Sequence, residues 1–163
     1  MKRWAIALVI LVVAGLLAPS SGVPATSKAS YAVLVGENVA AAANGDEIEV
    51  SLEGVFDAAS KEATGSGVWT HVGVASGTLT LERLVAFQFY GCGFMGDPTL
   101  CGGRAIFDVH MVTGTGFEFD ALLEVNCQIG APPPGTSEGT KVNVRGLNFN
   151  EHVSGENVFI ALS

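Results

Sequence analysis

The sequence predicts an all-β fold, an antiparallel sandwich or small barrel of seven to eight strands. From Asn44 onward, apolar residues recur at every second position, a period typical of strands that bury one face. The chain has 21 glycines and 6 prolines, which supply tight turns, and its abundant Val, Phe and Thr favour strands. No segment keeps a helical period over three turns. The segments between turns are therefore predicted to be strands with hairpin-length connections.

The amino-terminal segment has the layout of a secretory signal peptide. Two basic residues precede an uncharged apolar run over residues 5–17, followed by small residues and prolines. A bilayer span needs about 20 apolar residues, so a retained anchor is the second alternative. Small residues at the expected positions suit cleavage after Ala25 or after Ala29. We predict a signal peptide over residues 1–25 and a secreted or cell-surface location.

Cleavage after Ala25 makes the mature chain strongly acidic. It leaves 6 basic and 16 acidic residues, a net charge of −10. Nucleic acids and anionic membrane surfaces are poor partners for such a chain, so we expect no nucleic-acid partner and no membrane partner after cleavage. The remaining length suits one domain. We assign residues 46–163 to this all-β domain.

Residues 26–45 are predicted to be an N-terminal segment or linker with a possible extra strand. The apolar residues 31–35 have strand composition, whereas the four alanines of residues 40–43 suit a turn of helix or a linker. Two alternatives follow for the apolar stretch. It pairs within its own subunit, or it finds no partner there and adds as a strand to a neighbouring copy.

The first three segments of the domain alternate between apolar and polar residues. The pattern is clearest in residues 46–56, where every second residue is apolar and most of the others are acidic. Residues 65–74 predict a glycine-rich second strand. A Ser-Gly turn then leads into a third strand over residues 78–90.

Four further segments complete the predicted sheet. Residues 104–112 and 117–129 are separated by a short Gly-Thr loop. After a proline-rich loop, residues 140–149 carry a strand with a glycine break at Gly146, and residues 156–162 end the series. The even spacing of these short segments is the pattern that favours a sandwich or barrel.

The hairpin between residues 104 and 129 places polar side chains on one face. A three-residue loop, 113–115, with Gly116 at positive φ would align the apolar faces. The expected cross-strand pairs are His110 with Glu118, Asp108 with Asp120, and Arg104 with Glu124. We interpret this face as hydrated; the alternative is a cation site formed by Asp108, His110, Glu118 and Asp120.

Three cysteines are disulfide candidates in an exported chain. Cys92 and Cys101 would close a short loop between two strands, and this is the favoured pair. The expected register also sets Cys127 opposite Cys101, so a bridge between these two is the rival. In the favoured pairing Cys127 is a buried, inert thiol.

Arg83 lies midway between Leu81 and Val85, at a position where the two-residue alternation would turn its side chain toward the core. Either the strand is bulged there, or Arg83 points into a barrel interior. In the second case Arg83, Trp69 and Tyr90 would line a cavity for a small apolar ligand, since barrel mouths are frequent binding sites.

No catalytic motif is found, and non-enzymatic function is favoured. His71 with Ser66, or His152 with Ser154, are the base and nucleophile pairs that the sequence offers. No cofactor is predicted. We expect an extracellular binding or structural module whose partner is a protein, a surface or a second copy. The alternative is a barrel that binds or transforms a small apolar ligand near Arg83.

Overall fold

The computed structural model describes residues 30–162, so the predicted signal peptide of residues 1–25 lies outside the described residues. The described chain consists of nine antiparallel strands and contains no helix, and therefore none that would span a bilayer. The strands are β1 (Ser30–Ala42), β2 (Glu47–Asp57), β3 (Ala63–His71), β4 (Ala75–Phe94), β5 (Asp97–Thr113), β6 (Glu118–Cys127), β7 (Gly139–Val144), β8 (Leu147–Ser154) and β9 (Asn157–Ala161). The predicted all-β class is confirmed.

The strand count exceeds seven to eight for two local reasons. The possible extra strand near the amino terminus is present as β1. The segment 140–149, predicted as one interrupted strand, folds back on itself as β7 and β8. Gly146 lies in the turn between them with φ of 85°, a left-handed conformation that glycine adopts without steric cost.

The strands form one closed sheet, which we call the barrel. Strands β1 to β8 pair in sequence order, and β8 pairs back onto β1. The ninth strand lies between residues 31–35 of β1 and residues 100–101 of β5. A register shift between Val35 and Asn38 divides β1 into one half that pairs with β9 and another that pairs with β8. Because β1 is long, it pairs with three strands, β2, β8 and β9.

The apolar stretch at residues 31–35 pairs within its own subunit. It is hydrogen-bonded to β2 on one edge and to β9 on the other. Tyr31 and Val33 are fully buried. The alternative of a free strand for addition to a neighbour is therefore wrong, and so is the turn of helix or linker at residues 40–43, because β1 continues to Ala42.

The hairpin between β5 and β6 has a longer loop than predicted. Met111 lies opposite Phe119 and His110 opposite Asp120, a shift of two residues from the expected register. Thr113 causes the difference: its backbone N–H donates to the carbonyl of Phe117, and its hydroxyl accepts from the Phe117 N–H. A shift of two residues keeps the alternating faces of the two strands, although Phe117 now falls in the turn and is 67% exposed. The predicted pairing of Asp108 with Asp120 is wrong.

Arg83 follows a bulge and lies outside the barrel. The β4–β5 register shifts between Leu81 and Arg83, which turns the arginine away from the core. Its side chain is 64% exposed, and its Nη2 lies 2.5 Å from Oδ2 of Asp108. The interior position considered for Arg83 is therefore wrong, and the bulge is confirmed.

The core at the end where β1 begins is aromatic. Phe56 and Phe87 lie 5.0 Å apart between ring centroids, and Phe159 lies 5.7 Å from Phe56 and 5.6 Å from Phe87. Tyr31 stacks on Phe56. Tilted and edge-to-face pairs of this kind add to the stabilisation from apolar burial. This end of the barrel is filled by side chains.

Candidate functional site

Four tight turns surround the opposite end of the barrel, which we call the hairpin end. Antiparallel strands alternate in direction, so every second connection lies at the same end. The turns join β1 to β2, β3 to β4, β5 to β6 and β7 to β8 at residues 43–46, 72–74, 114–117 and 145–146. No long loop covers this end within residues 30–162.

A cavity of about 190 Å³ opens at the hairpin end. Each of the strands β2 to β8 contributes to its lining, so the cavity lies on the barrel axis. The largest apolar groups around it are the side chains of Trp69, Met111, Phe119 and Phe149. Smaller apolar side chains fill the remaining wall. The lining is apolar because these positions face inward in the two-residue period of each strand.

Trp69 forms one wall of the cavity. Its Nε1 donates a hydrogen bond to the carbonyl oxygen of Thr78 at 3.1 Å. Its ring meets Phe119 edge to face, with 5.7 Å between centroids. Because the indole N–H is already satisfied, Trp69 presents an apolar surface to the cavity.

His71 and Asp46 supply a polar pair at the same cavity. Nε2 of His71 lies 3.3 Å from Oδ2 of Asp46, which belongs to the turn between β1 and β2. The imidazole also meets Phe149 edge to face at 5.3 Å. The His71 side chain is 16% exposed, whereas that of Asp46 is 42% exposed. The histidine is thus held at the cavity by one hydrogen bond and one aromatic contact.

The barrel wall is thin beside this cavity. Hydrogen bonding between β6 and β7 extends only from Asn126 and Gly139 to Leu122 and Asn143. Beyond that point, the side chains of Phe119 and Val144 line both the inner cavity and an outer groove. Side chains rather than backbone hydrogen bonds therefore separate the cavity from the groove.

The outer groove contains part of the predicted polar face. Nδ1 of His110 lies 2.9 Å from Oδ1 of Asp120, and its Nε2 lies 3.5 Å from Oε2 of Glu118. The hydrogen bond with Asp120 is the main reason that the pKa of His110 is raised, and the charges of Asp120, Glu118 and Glu82 add to it. Asp108 instead pairs with Arg83.

These acidic residues do not converge on a common point. Within residues 30–162, no group of three or more His, Cys, Asp or Glu side chains is arranged to hold a metal ion. Arg104 lies opposite Asn126 and not opposite Glu124 as predicted, but its Nη2 still lies 2.6 Å from Oε2 of Glu124, and Lys141 joins this ion pair. The face is a set of separate ion pairs.

The three residues predicted to line a ligand cavity lie in different places. Arg83 is on the outer surface, and Trp69 lines the hairpin-end cavity. Tyr90 lines a groove under the loop that follows β6, together with Arg104 and Thr136. Burial is the main cause of the raised pKa of Tyr90. Of the three predicted residues, Trp69 therefore lines the hairpin-end cavity, and the other two lie elsewhere.

The polar pair at the cavity was not predicted from the sequence. His71 and Asp46 are 25 positions apart, and the pairing of Ile48 with His71 brings them together. No local motif signals that register. The nucleophile pairs considered for His71 and His152 do not form, since within residues 30–162 neither histidine is hydrogen-bonded to a serine or cysteine.

Cys92 and Cys101 form a disulfide, as predicted. Cys127 is a free and buried cysteine. It lies opposite Gly103 and not opposite Cys101, so the expected position is wrong. The cause is the two-residue shift of the β5–β6 register. Burial raises the pKa of the Cys127 thiol to about 11. The thiol is therefore protonated at neutral pH.

Comparison of the chain with protein-family models, with curated proteins and with solved structures gives no match. The case for function therefore depends on the geometry of the molecule itself.

Proposed function

We propose that this chain is an exported, acidic β-domain that acts as a binding module and takes a small apolar molecule into its hairpin-end cavity. The observation that carries the proposal is the apolar cavity of about 190 Å³ on the barrel axis. An apolar cavity of about 150 Å³ is enough to bind benzene. A single-ring molecule therefore fits the available volume.

Two features support an exported protein. The first residues have the order of a secretory leader, with basic residues before an apolar run. The disulfide between Cys92 and Cys101 is the kind of bond that forms and persists in oxidising compartments. A secreted binding module agrees with both.

Binding is favoured over catalysis by the chemistry of the cavity. Its lining is mainly hydrocarbon, and its titratable member, His71, is bonded to Asp46 rather than to a nucleophile. Nucleophilic catalysis requires a base within hydrogen-bond reach of the attacking group. The net charge, −8 for the full sequence and −10 after cleavage at Ala25, also opposes anionic ligands. The ligand class is therefore small, apolar and uncharged.

Tryptophan fluorescence provides a direct test. The chain has two tryptophans, Trp4 and Trp69, so Trp4→Phe leaves the cavity residue as the sole tryptophan whether or not the leader is cleaved. Titration of this variant with toluene should change its fluorescence saturably. A linear response that never saturates would show that toluene does not enter the cavity and would contradict the proposal.

A pair of matched variants separates cavity binding from adsorption to the surface. Ala75 lines the cavity, whereas Ala86 is exposed on the same strand. In the Trp4→Phe background, Ala75→Leu should fill part of the cavity and abolish the saturable response. Ala86→Leu adds the same atoms outside the barrel and should leave toluene binding unchanged. Equal loss in both variants would place toluene elsewhere.

A further inference from the structure

We propose that the cavity selects a small, neutral aromatic molecule that carries one hydrogen-bond donor, and that Nδ1 of His71 accepts this hydrogen bond. Phenol-type and indole-type rings belong to this class. The inference rests on the proposed function, because it names the ligand class of the same cavity. It depends on which polar atoms of the lining already have partners.

The hydrogen bond to Asp46 determines the tautomer of His71. A carboxylate only accepts, so the ring nitrogen that faces it, Nε2, carries the proton in the neutral imidazole. Nδ1 is then left with a lone pair and acts as an acceptor. Asp46 is thus a positioning residue for the acceptor on His71.

The other polar side chains of the lining are already engaged. Nε1 of Trp69 donates to Thr78. The hydroxyl of Thr113 accepts from the N–H of Phe117 and bonds to the hydroxyl of Thr115 at 3.0 Å. Among the lining side chains that the structure describes, Nδ1 of His71 is the polar atom with no protein partner.

The unpaired acceptor gives the cavity its selectivity. An apolar ring that covers His71 without bonding to it displaces water from Nδ1 and leaves this acceptor without a hydrogen bond, which costs binding free energy. A ring with an O–H or N–H group directed at Nδ1 restores the hydrogen bond. Sites that contain one unpaired polar group discriminate in this way between ligands of nearly equal shape. A carboxylate on the ligand would meet the negative charge of Asp46 close to the cavity and is disfavoured.

Two probes of nearly equal size test the inference by isothermal titration calorimetry. p-Cresol and 4-fluorotoluene share the methyl-substituted ring, and only p-cresol carries a donor. One neutral hydrogen bond should make p-cresol bind about two- to tenfold more tightly to the unmodified chain. Equal affinity for the two probes would overturn this inference and leave the proposed function intact. If neither probe binds, the proposed function itself fails.

Two variants assign the preference to His71. His71→Phe keeps a planar ring against Phe149 but removes the acceptor, so the ratio of the affinities for the two probes should fall to about one. His71→Leu also removes both ring nitrogens and provides the second variant if His71→Phe does not fold. It too should bind the two probes with about equal affinity. A preference that persists in both variants would overturn the assignment.

Discussion

The imidazole Nδ1 of His110 lies 2.9 Å from Oδ1 of Asp120, its direct cross-strand neighbour on β6. This hydrogen bond is the largest cause of the raised pKa of His110, and the charge of Asp120 itself adds to it. A histidine whose pKa is raised by folding binds its proton more tightly in the folded state. Its contribution to stability is therefore full below the unfolded pKa of about 6.5 and is lost as the pH rises through the raised value.

We expect Asp120→Asn to lower the pKa of His110, because the charged acceptor is lost. Nuclear magnetic resonance titration of the His110 Cε1–H signal measures this change. Asp108→Asn is the matched control, since that carboxylate pairs with Arg83 instead. A His110 titration curve that is the same in Asp120→Asn and in the unmodified chain would show that the pair does not form in solution.

The two-residue period predicted the all-β class and the buried faces of most strands, because alternation is a local property of the extended chain. It failed where β4 is bulged before Arg83 and where residues 140–149 turn back at Gly146. It could not predict the β5–β6 register. That register depends on the loop, where the hydroxyl and amide of Thr113 both bond to the backbone of Phe117. Gly116 does adopt the predicted positive φ, at 84°. The hydrophobic pattern fixes a register only to within two residues, and loop chemistry sets the rest.

The candidate site was less predictable than the sheet. Arg83 has inward parity in the sequence, and only the bulge after Leu81 turns it outward. His71 meets Asp46 because of the β2–β3 register and the turn before β2, which are tertiary features. Trp69 does line a cavity, but it is the hairpin-end cavity and not one formed with Arg83 and Tyr90. A local sequence pattern does not indicate which residues far apart in the chain come into contact.

Cys127 should resist alkylation in the folded protein. Its thiol is buried, and burial raises its pKa to about 11, so the reactive thiolate is scarce at mildly alkaline pH. Mass spectrometry after iodoacetamide treatment should detect little modification under native conditions and one modified cysteine per chain in urea. Rapid modification of the native chain at Cys127 would contradict the buried position. Cys92 and Cys101 stay unmodified in both conditions, because they are joined by the disulfide.

Phe159 and Phe117 should respond differently to truncation. Phe159 is fully buried against Phe56 and Phe87, whereas Phe117 is 67% exposed in the hairpin turn. Phe159→Ala should lower the free energy of unfolding by about 3–5 kcal/mol, the range for deleting a buried aromatic side chain. Phe117→Ala should change it by less than about 0.5 kcal/mol. Urea denaturation monitored by circular dichroism measures both values, and similar losses would contradict the described core.

The position of β1 inside the barrel can be tested against a role as an assembly arm. Val33 is fully buried and pairs with β2 and β9, so Val33→Asp places an unpaired charge in the core. We expect this variant to lose at least about 3 kcal/mol of stability in urea denaturation. Glu37→Lys, at an exposed position of the same strand, is the control and should unfold like the unmodified chain.

An assembly arm would give a different result from the same two variants. If residues 31–35 added to a neighbouring copy, Val33→Asp would convert an oligomer into a folded monomer of unchanged stability. Size-exclusion chromatography with light scattering distinguishes this outcome from unfolding. Because β1 is hydrogen-bonded along both edges within one chain, disrupting it removes contacts with β2 and β9 at once. Loss of the fold, and not dissociation of an assembly, is therefore the expected consequence.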